Sequence, residues 1–261
     1  MRSARFFALV ASATIVFAGC GGGTAAPTPT ATSTAAAVAT AKAEGAATAS
    51  LGDGKITALP KGTLYVNYLE IPQPAAGVLA HAHIAGFVYG IEGTTRLAVV
   101  GGETKDLKAT EAAFVPADAG HTHSNPGATP NLWYFIGIRP NTARTAAPTF
   151  PGQKEVFATP DLPALPDGAY TLGLRAVTVQ PNGRTAAHKH GGLESILVLD
   201  GSVDVRVQGA AVRTLKKGEG MSIQADTALQ VWNKGTTPAK FLAFFVTADG
   251  AAFSTDVDAS P

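Results

Sequence analysis

The stretch His188-Lys189-His190-Gly191-Gly192-Leu193-Glu194-Ser195-Ile196-Leu197-Val198-Leu199-Asp200-Gly201 decides how this chain is read. Two imidazoles stand one residue apart, and alternating residues on a strand share a face. If the pair lies on a strand, His188 and His190 therefore point the same way. Glu194 follows, then an apolar run closed by Asp200-Gly201, a strong hairpin signal. Two imidazoles and a carboxylate make a facial N,N,O set that suits iron, manganese, nickel or zinc and leaves coordination positions open.

Moving outward, the six histidines of the chain all fall in His-x-His pairs: His81 with His83, His121 with His123, and His188 with His190. The halves of the chain also repeat. Gln73-Pro74 matches Gln180-Pro181, and His81-Ala82-His83 matches His188-Lys189-His190, both at an offset of 107. Gly93 matches Gly201, Asp118 matches Asp226, Asn125 matches Asn233 and Thr129-Pro130 matches Thr237-Pro238, all at 108. One insertion or deletion therefore lies between His83 and Gly93. Each copy reads as short strands between turns. In the first these are 63–71, 87–91, 94–100, 112–115 and 132–138; in the second, 170–179, 195–199, 203–207, 221–223 and 241–247. No long stretch has helical period, so the fold class is all-β, as barrels or jelly rolls. A proline-rich stretch, 140–166, is expected to connect the copies.

The pattern His-x-His-x3-Glu-x6-Gly over His188, His190, Glu194 and Gly201 resembles the first motif of the cupin family. The family's second motif is similar to Pro116 through His121 with Asn125, although Asp118 replaces its glycine. The resemblance covers residues 60–248 and implies two tandem cupin-type jelly-roll barrels. It implies a metal on His81, His83 and His121 in the first barrel, and a weaker set, His188, His190 and Glu194, in the second. Leu229 stands where the second copy's motif histidine belongs. The first copy lacks the glutamate, whose place falls on Gly86 or on Phe87. His123 shares the face of His121, and is either a hydrogen-bonded imidazole behind the ligands or a fourth ligand. Trp133, Tyr134, Phe135 and Trp232 read first as core and second as substrate contacts.

The N-terminus reads as an address. Arg2 and Arg5 precede an apolar run, Phe6 to Phe17, too short to span a bilayer. The end of the run, Val16-Phe17-Ala18-Gly19-Cys20, resembles a bacterial lipobox, with Phe17 in place of the usual aliphatic residue. Expected domains are thus a signal peptide at 1–19, a flexible Ala/Thr/Pro/Gly linker at 20–55, barrel 1 at 56–146 and barrel 2 at 147–261. Lipidation at Cys20 would anchor the protein outside the cytoplasmic membrane, with the linker as a tether.

Composition narrows the function. The chain has 261 residues, 46% hydrophobic and 15% charged, with a net charge of +1. A chain so near neutral has no electrostatic footprint for nucleic acid. A single cysteine excludes an internal disulfide and any cysteine-based zinc or iron–sulfur site, so any divalent ion (Fe, Mn, Ni, Cu or Zn) must rest on histidine and carboxylate. Two readings stay open. One is a metal-dependent oxidoreductase or dioxygenase acting on a small molecule. The other is a tethered, non-catalytic module that binds or senses a small ligand or metal. An oxalate-type decarboxylase is disfavoured, because neither copy keeps three histidines and a glutamate together. Cupins often associate, so a homo-oligomer is a further expectation of the resemblance.

Overall fold

The computed structural model describes residues 41–261. The expected signal peptide, the lipidation site Cys20 and the linker up to residue 40 lie outside these residues. Among the described residues no helix is long and apolar enough to cross a membrane.

The chain begins with β1 (Glu44–Ile56). The first barrel follows with β2 (Leu64–Gln73), β3 (Val78–His81), β4 (Gly86–Glu92), β5 (Thr94–Val99), β6 (Thr104–Lys108), β7 (Ala112–Val115), β8 (His121–Ser124) and β9 (Asn131–Pro140). A short 3-10 turn, Asn141–Thr145, leads to β10 (Lys154–Ala158). The second barrel repeats the order with β11 (Tyr170–Arg184), β12 (His188–Lys189), β13 (Leu193–Asp200), β14 (Ser202–Val207), β15 (Arg213–Lys216), β16 (Gly220–Ile223), β17 (Leu229–Trp232) and β18 (Ala239–Ala248), and adds β19 (Thr255–Asp256). The two barrels therefore correspond strand for strand.

In the first barrel one sheet runs β10-β2-β9-β4-β7 and faces a second, β3-β8-β5-β6. In the second the strands join in one path, β15-β14-β17-β11-β18-β13-β16. The hairpins after β4 and β13 turn on Gly93 (φ 71°) and Gly201 (φ 72°), the left-handed region where only glycine is free of strain.

Strand parity sets the cores. Odd residues of β9, Trp133 and Phe135, fill the first barrel with Leu69, Ile71 and Val115. Odd residues of β18, Phe241, Ala243 and Phe245, fill the second. The even residues of the same strands, Ile136 and Ile138 against Leu242, Phe244 and Val246, meet in a third cluster that joins the barrels back to back. Tyr68 Oη crosses this seam to donate to the Ser195 carbonyl at 3.0 Å. Both faces of these strands are buried, which explains runs such as Phe241-Leu242-Ala243-Phe244-Phe245-Val246 without polar alternation.

The structure corrects two expectations about boundaries. Residues 44–55, assigned to a flexible linker, form most of β1, which pairs antiparallel with β11 from Glu44↔Arg184 to Ile56↔Tyr170. The stretch 140–166, expected as a plain connection, contains β10, which pairs with β2. The strand preceding the first barrel thus joins the second barrel's sheet, and the strand preceding the second joins the first's. In β1 Gly54 alone is buried and only Ala46, Leu51 and Ile56 pack partly against the core, so backbone pairing carries most of the strand. The ladders also refine the repeat. Gln73 and Val179 hold equivalent places as carbonyl acceptors for Asn125 and Asn233, an offset of 106 rather than 107 in the opening strand.

Candidate metal centre

The histidine pairs come from short strands and the bends after them. His81 ends β3 and His83 lies just beyond it, whereas His121 and His123 both sit on β8 and face inward. His81 and His121 are direct partners in the β3–β8 ladder. A matching backbone device steadies both barrels. Asp118 (φ 57°) and Asp226 (φ 58°) adopt the left-handed conformation that the motif glycine would supply. Their N–H groups donate to the carbonyls of His83 (2.8 Å) and His190 (2.7 Å), tying the second-motif turn to the first-motif bend.

The first barrel brings His81, His83, His121 and His123 together, with one ligand atom from each within 4.8 Å of the others. His83 Nδ1 stands 2.6 Å from the Ile84 carbonyl and His121 Nδ1 2.7 Å from the Ala119 carbonyl. Those nitrogens carry the protons, and each Nε2 keeps a free lone pair. Both Nε2 atoms are buried without a hydrogen-bond partner, as are His81 Nδ1 and both nitrogens of His123. Buried imidazole nitrogens are rarely left unpaired. A metal ion would take one nitrogen from each ring, leaving only the second nitrogen of His123.

The spacing agrees. With a metal–nitrogen bond of about 2.1 Å, ring centroids stand about 4.6 Å apart for ligands at right angles and about 5.3 Å for tetrahedral ones. The centroids of His81 and His121, and of His83 and His121, are 4.5 Å apart, and those of His81 and His83 5.0 Å. His123 lies 5.1 Å from His81 and 4.9 Å from His121, its face stacked on Trp133 at 4.2 Å. Among the described residues the His123 ring has no hydrogen-bond partner. Burial lowers His81 to about 4 and His83 to about 3, and lowers His123 too, so these imidazoles are neutral and ready to ligate at pH 7.

The missing carboxylate of the first barrel has a steric explanation. The β4–β7 and β13–β16 ladders make Gly86, not Phe87, the counterpart of Glu194. The bend from His83 to Gly86 is one residue shorter than that from His190 to Glu194, which places the deletion inferred from the repeat. A Cβ on Gly86 would stand 2.5 Å from the Phe135 ring and from the Ile136 carbonyl oxygen. Phe135, whose counterpart in the second barrel is Ala243, occupies the space, its ring tilted 57° to that of His83 with centroids 4.2 Å apart.

The second barrel gathers His188, His190 and Glu194. His188 faces Leu229 in the β12–β17 ladder, where His81 faces His121 in the first barrel. Val231 replaces His123 in the same way, leaving an apolar wall. Glu194 Oε2 lies 3.6 Å from His190 Nε2, too far for a hydrogen bond, and burial raises this carboxyl to about 8. The chain after β18 folds over the mouth. β19 pairs with β12, the Phe253 carbonyl accepts from His190 Nδ1, and the Phe253 ring packs 5.2 Å from His190.

Sequence reasoning missed three residues at these sites. Phe150 covers the first site 4.8 Å from His81, as Phe253 covers the second. Both come from irregular segments with no local signal. Arg139 lines the first cavity and did have one, since it shares the odd, inward parity of Trp133 and Phe135 on β9. Asn125 and Asn233 bind carbonyls in the turns and stand apart from the ligands.

A family model described as a cupin domain matches residues 68–137 and 175–245. Among solved structures, a Lactobacillus farciminis oxalate decarboxylase in a formate complex aligns at 14% identity and a TM-score of 0.53, over 78% of this chain and 88% of that one. A Bacillus subtilis oxalate decarboxylase studied for its Mn(II) centres aligns at 16% identity and a TM-score of 0.51, over 80% and 79%. These likenesses concern the fold. No curated protein matches the chain by sequence.

Proposed function

The chain belongs to the cupin family, and on that premise we propose that its first barrel is a divalent-metal centre serving a metal-dependent oxidoreductase or dioxygenase reaction on a small molecule. One observation carries the reading: four imidazoles converge there, and among the described residues each offers a buried nitrogen without a hydrogen-bond partner. His81, His83 and His121 would hold the ion, with His123 as the fourth imidazole. When bound, such an ion polarises a coordinated small molecule or dioxygen. The residues of the chain do the rest. The Ile84 and Ala119 carbonyls fix the tautomers of His83 and His121. Trp133, Phe135 and Phe150 give apolar walls to a cavity of about 370 Å³, room for a molecule of modest size.

Manganese is the first ion to test, because the Bacillus subtilis protein that shares the fold has Mn(II) centres. The basic start, short apolar run and Cys20 support export and lipid anchoring outside the cytoplasmic membrane. Metal per chain in the full protein, compared with His121→Ala and His188→Ala, tests the centre. Loss with His121→Ala alone places the ion in the first barrel. No transition metal in any variant after reconstitution sinks the reading. Oxygen consumption with phenols, diketones and thiols, and turnover of oxalate, then test catalysis.

A further inference from the structure

Among the described residues, the cavity beside His81 and His83 is lined by one permanent cation, Arg139. Its place is set by the strand. On β9 the residues at odd positions, Trp133, Phe135 and Arg139, share the face that fills the barrel. A guanidinium on the inward face of a barrel strand is costly unless something balances its charge. Among the described residues no hydrogen-bond acceptor or ion-pair partner contacts this side chain, in contrast to Arg144 and Arg175, which meet Asp161 and Asp53. Its charge is felt at the centre, where it adds to the lowering of His83.

The other groups around Arg139 fit a second substrate contact. The remaining walls of the cavity are chiefly apolar and aromatic, among them Ile71, Trp133, Phe135 and Phe150, with Gln153 and Thr149 as neutral polar groups. Asp118 also borders the cavity, but no ion pair joins it to Arg139 and its side chain is exposed. The second barrel has Thr247 at the corresponding position; its own cavity borders Arg175, but that guanidinium is already taken by Asp53 and the Gly52 carbonyl.

We infer that Arg139 is a specificity-determining residue that receives the carboxylate of a small organic acid, while the apolar walls hold its body beside the histidines. This rests on reading that cavity as the place where a small molecule binds. A guanidinium offers paired donors in the geometry of a carboxylate, and such charge-assisted pairs are the strong ones in a partly buried site.

The test is calorimetric titration of the purified full chain, metal-loaded and chelator-stripped, with benzoate and with its neutral isostere benzamide. Benzoate is expected to bind at least tenfold more tightly than benzamide. Arg139→Gln is expected to lose about tenfold to hundredfold of the benzoate affinity, the usual worth of one charge-assisted pair, and to keep its metal content. Arg139→Lys, which retains the charge without the fork, should recover part of the loss. Equal binding of benzoate and benzamide, no benzoate binding at millimolar concentration, or unchanged affinity in Arg139→Gln overturns the assignment. Metal content is measured in the same samples. A chain that takes up no metal yet prefers benzoate through Arg139 removes the metal reading and leaves this one standing.

Discussion

Acidifying the metal-stripped protein tests how deeply the imidazoles are buried. His123 is fully enclosed and His190 is 5% exposed; burial pushes both below the ordinary 6.5, His190 to about 4. Below pH 6.5 the unfolded chain protonates both while the fold does not, so stability falls with falling pH. Glu194 acts in the opposite sense. Burial raises it from 4.5 to about 8, so between those values the fold keeps a proton that the unfolded chain has lost, and stability falls as pH rises. From pH 6.5 down to 4.5 the two imidazoles outweigh the one carboxyl by one proton. One proton is worth about 1.4 kcal/mol per pH unit, so about 3 kcal/mol is lost across that window. His81 and His83 are lowered as well but reach more solvent, and they steepen the fall by less than a fully buried group would. Above pH 6.5 only Glu194 of this set titrates, and stability declines by about 2 kcal/mol toward pH 8. The maximum is therefore expected near pH 6.5. Glu194→Gln should flatten the alkaline limb and leave an acid limb. Urea denaturation in chelator, in half-unit steps from pH 4.5 to 8, reads the curve. A gain in stability between pH 6.5 and 5, or an alkaline decline that persists in Glu194→Gln, refutes the reasoning.

Three further outcomes follow from the packing. Phe135→Ala, which empties a buried ring site at 4% exposure beside Gly86, should cost about 3–5 kcal/mol in urea denaturation. Asn233→Ala removes the donor to the Val179 and Thr237 carbonyls and the acceptor for the Gly235 N–H. It should cost about 2–3 kcal/mol and leave metal content unchanged, as measured by denaturation and metal analysis. Ending the chain at Asp249 takes away β19 and the acceptors for Gly191 N–H and His190 Nδ1. Hydrogen exchange should then quicken at residues 187–193, while protection in β2, β4 and β9 stays as it was.

The parts of the fold visible in the sequence were those whose side chains carry it. β2, β4, β9, β11, β13 and β18 are rich in Leu, Val, Ile and aromatic residues and were placed within a few residues. The strands that bear the site were hidden. β3 is Val-Leu-Ala-His, β8 is His-Thr-His-Ser and β12 is two residues long, too short and too polar for apolar alternation to register. β1 was hidden for another reason. Glu44-Gly45-Ala46-Ala47-Thr48-Ala49-Ser50 has the composition of a linker, and only its pairing with β11, more than a hundred residues away, makes it a strand. The repeat made the ligand histidines legible, because three His-x-His pairs in one register single out the site without any strand assignment. It left the glutamate's place between Gly86 and Phe87, since a one-residue deletion cannot be located from landmarks on either side of it.

The differences between the two sites are coupled, and the coupling bears on what the first barrel is for. A site that was only decaying would lose its glutamate and leave a hole. Here Gly86 has no side chain where Glu194 stands in the other barrel, and the Phe135 ring fills that space, where the other barrel has Ala243. The shorter bend after His83 belongs to the same change. On the opposite wall, His121 and His123 face inward where the second barrel has Leu229 and Val231. The first barrel has thus exchanged a carboxylate for imidazole and aromatic surface, and the second has kept the carboxylate and made its wall apolar. Each barrel keeps a cavity beside its histidines, of about 370 Å³ in the first and about 280 Å³ in the second. An all-imidazole set leaves a divalent ion's charge uncompensated by the protein, whereas a carboxylate ligand would offset part of it. An anion arriving from solution would supply that compensation. Arg139, which lines the same cavity, would add a second attraction for it. The loss of Glu at position 86 and the presence of Arg at 139 then point the same way, toward a negatively charged partner in the first barrel.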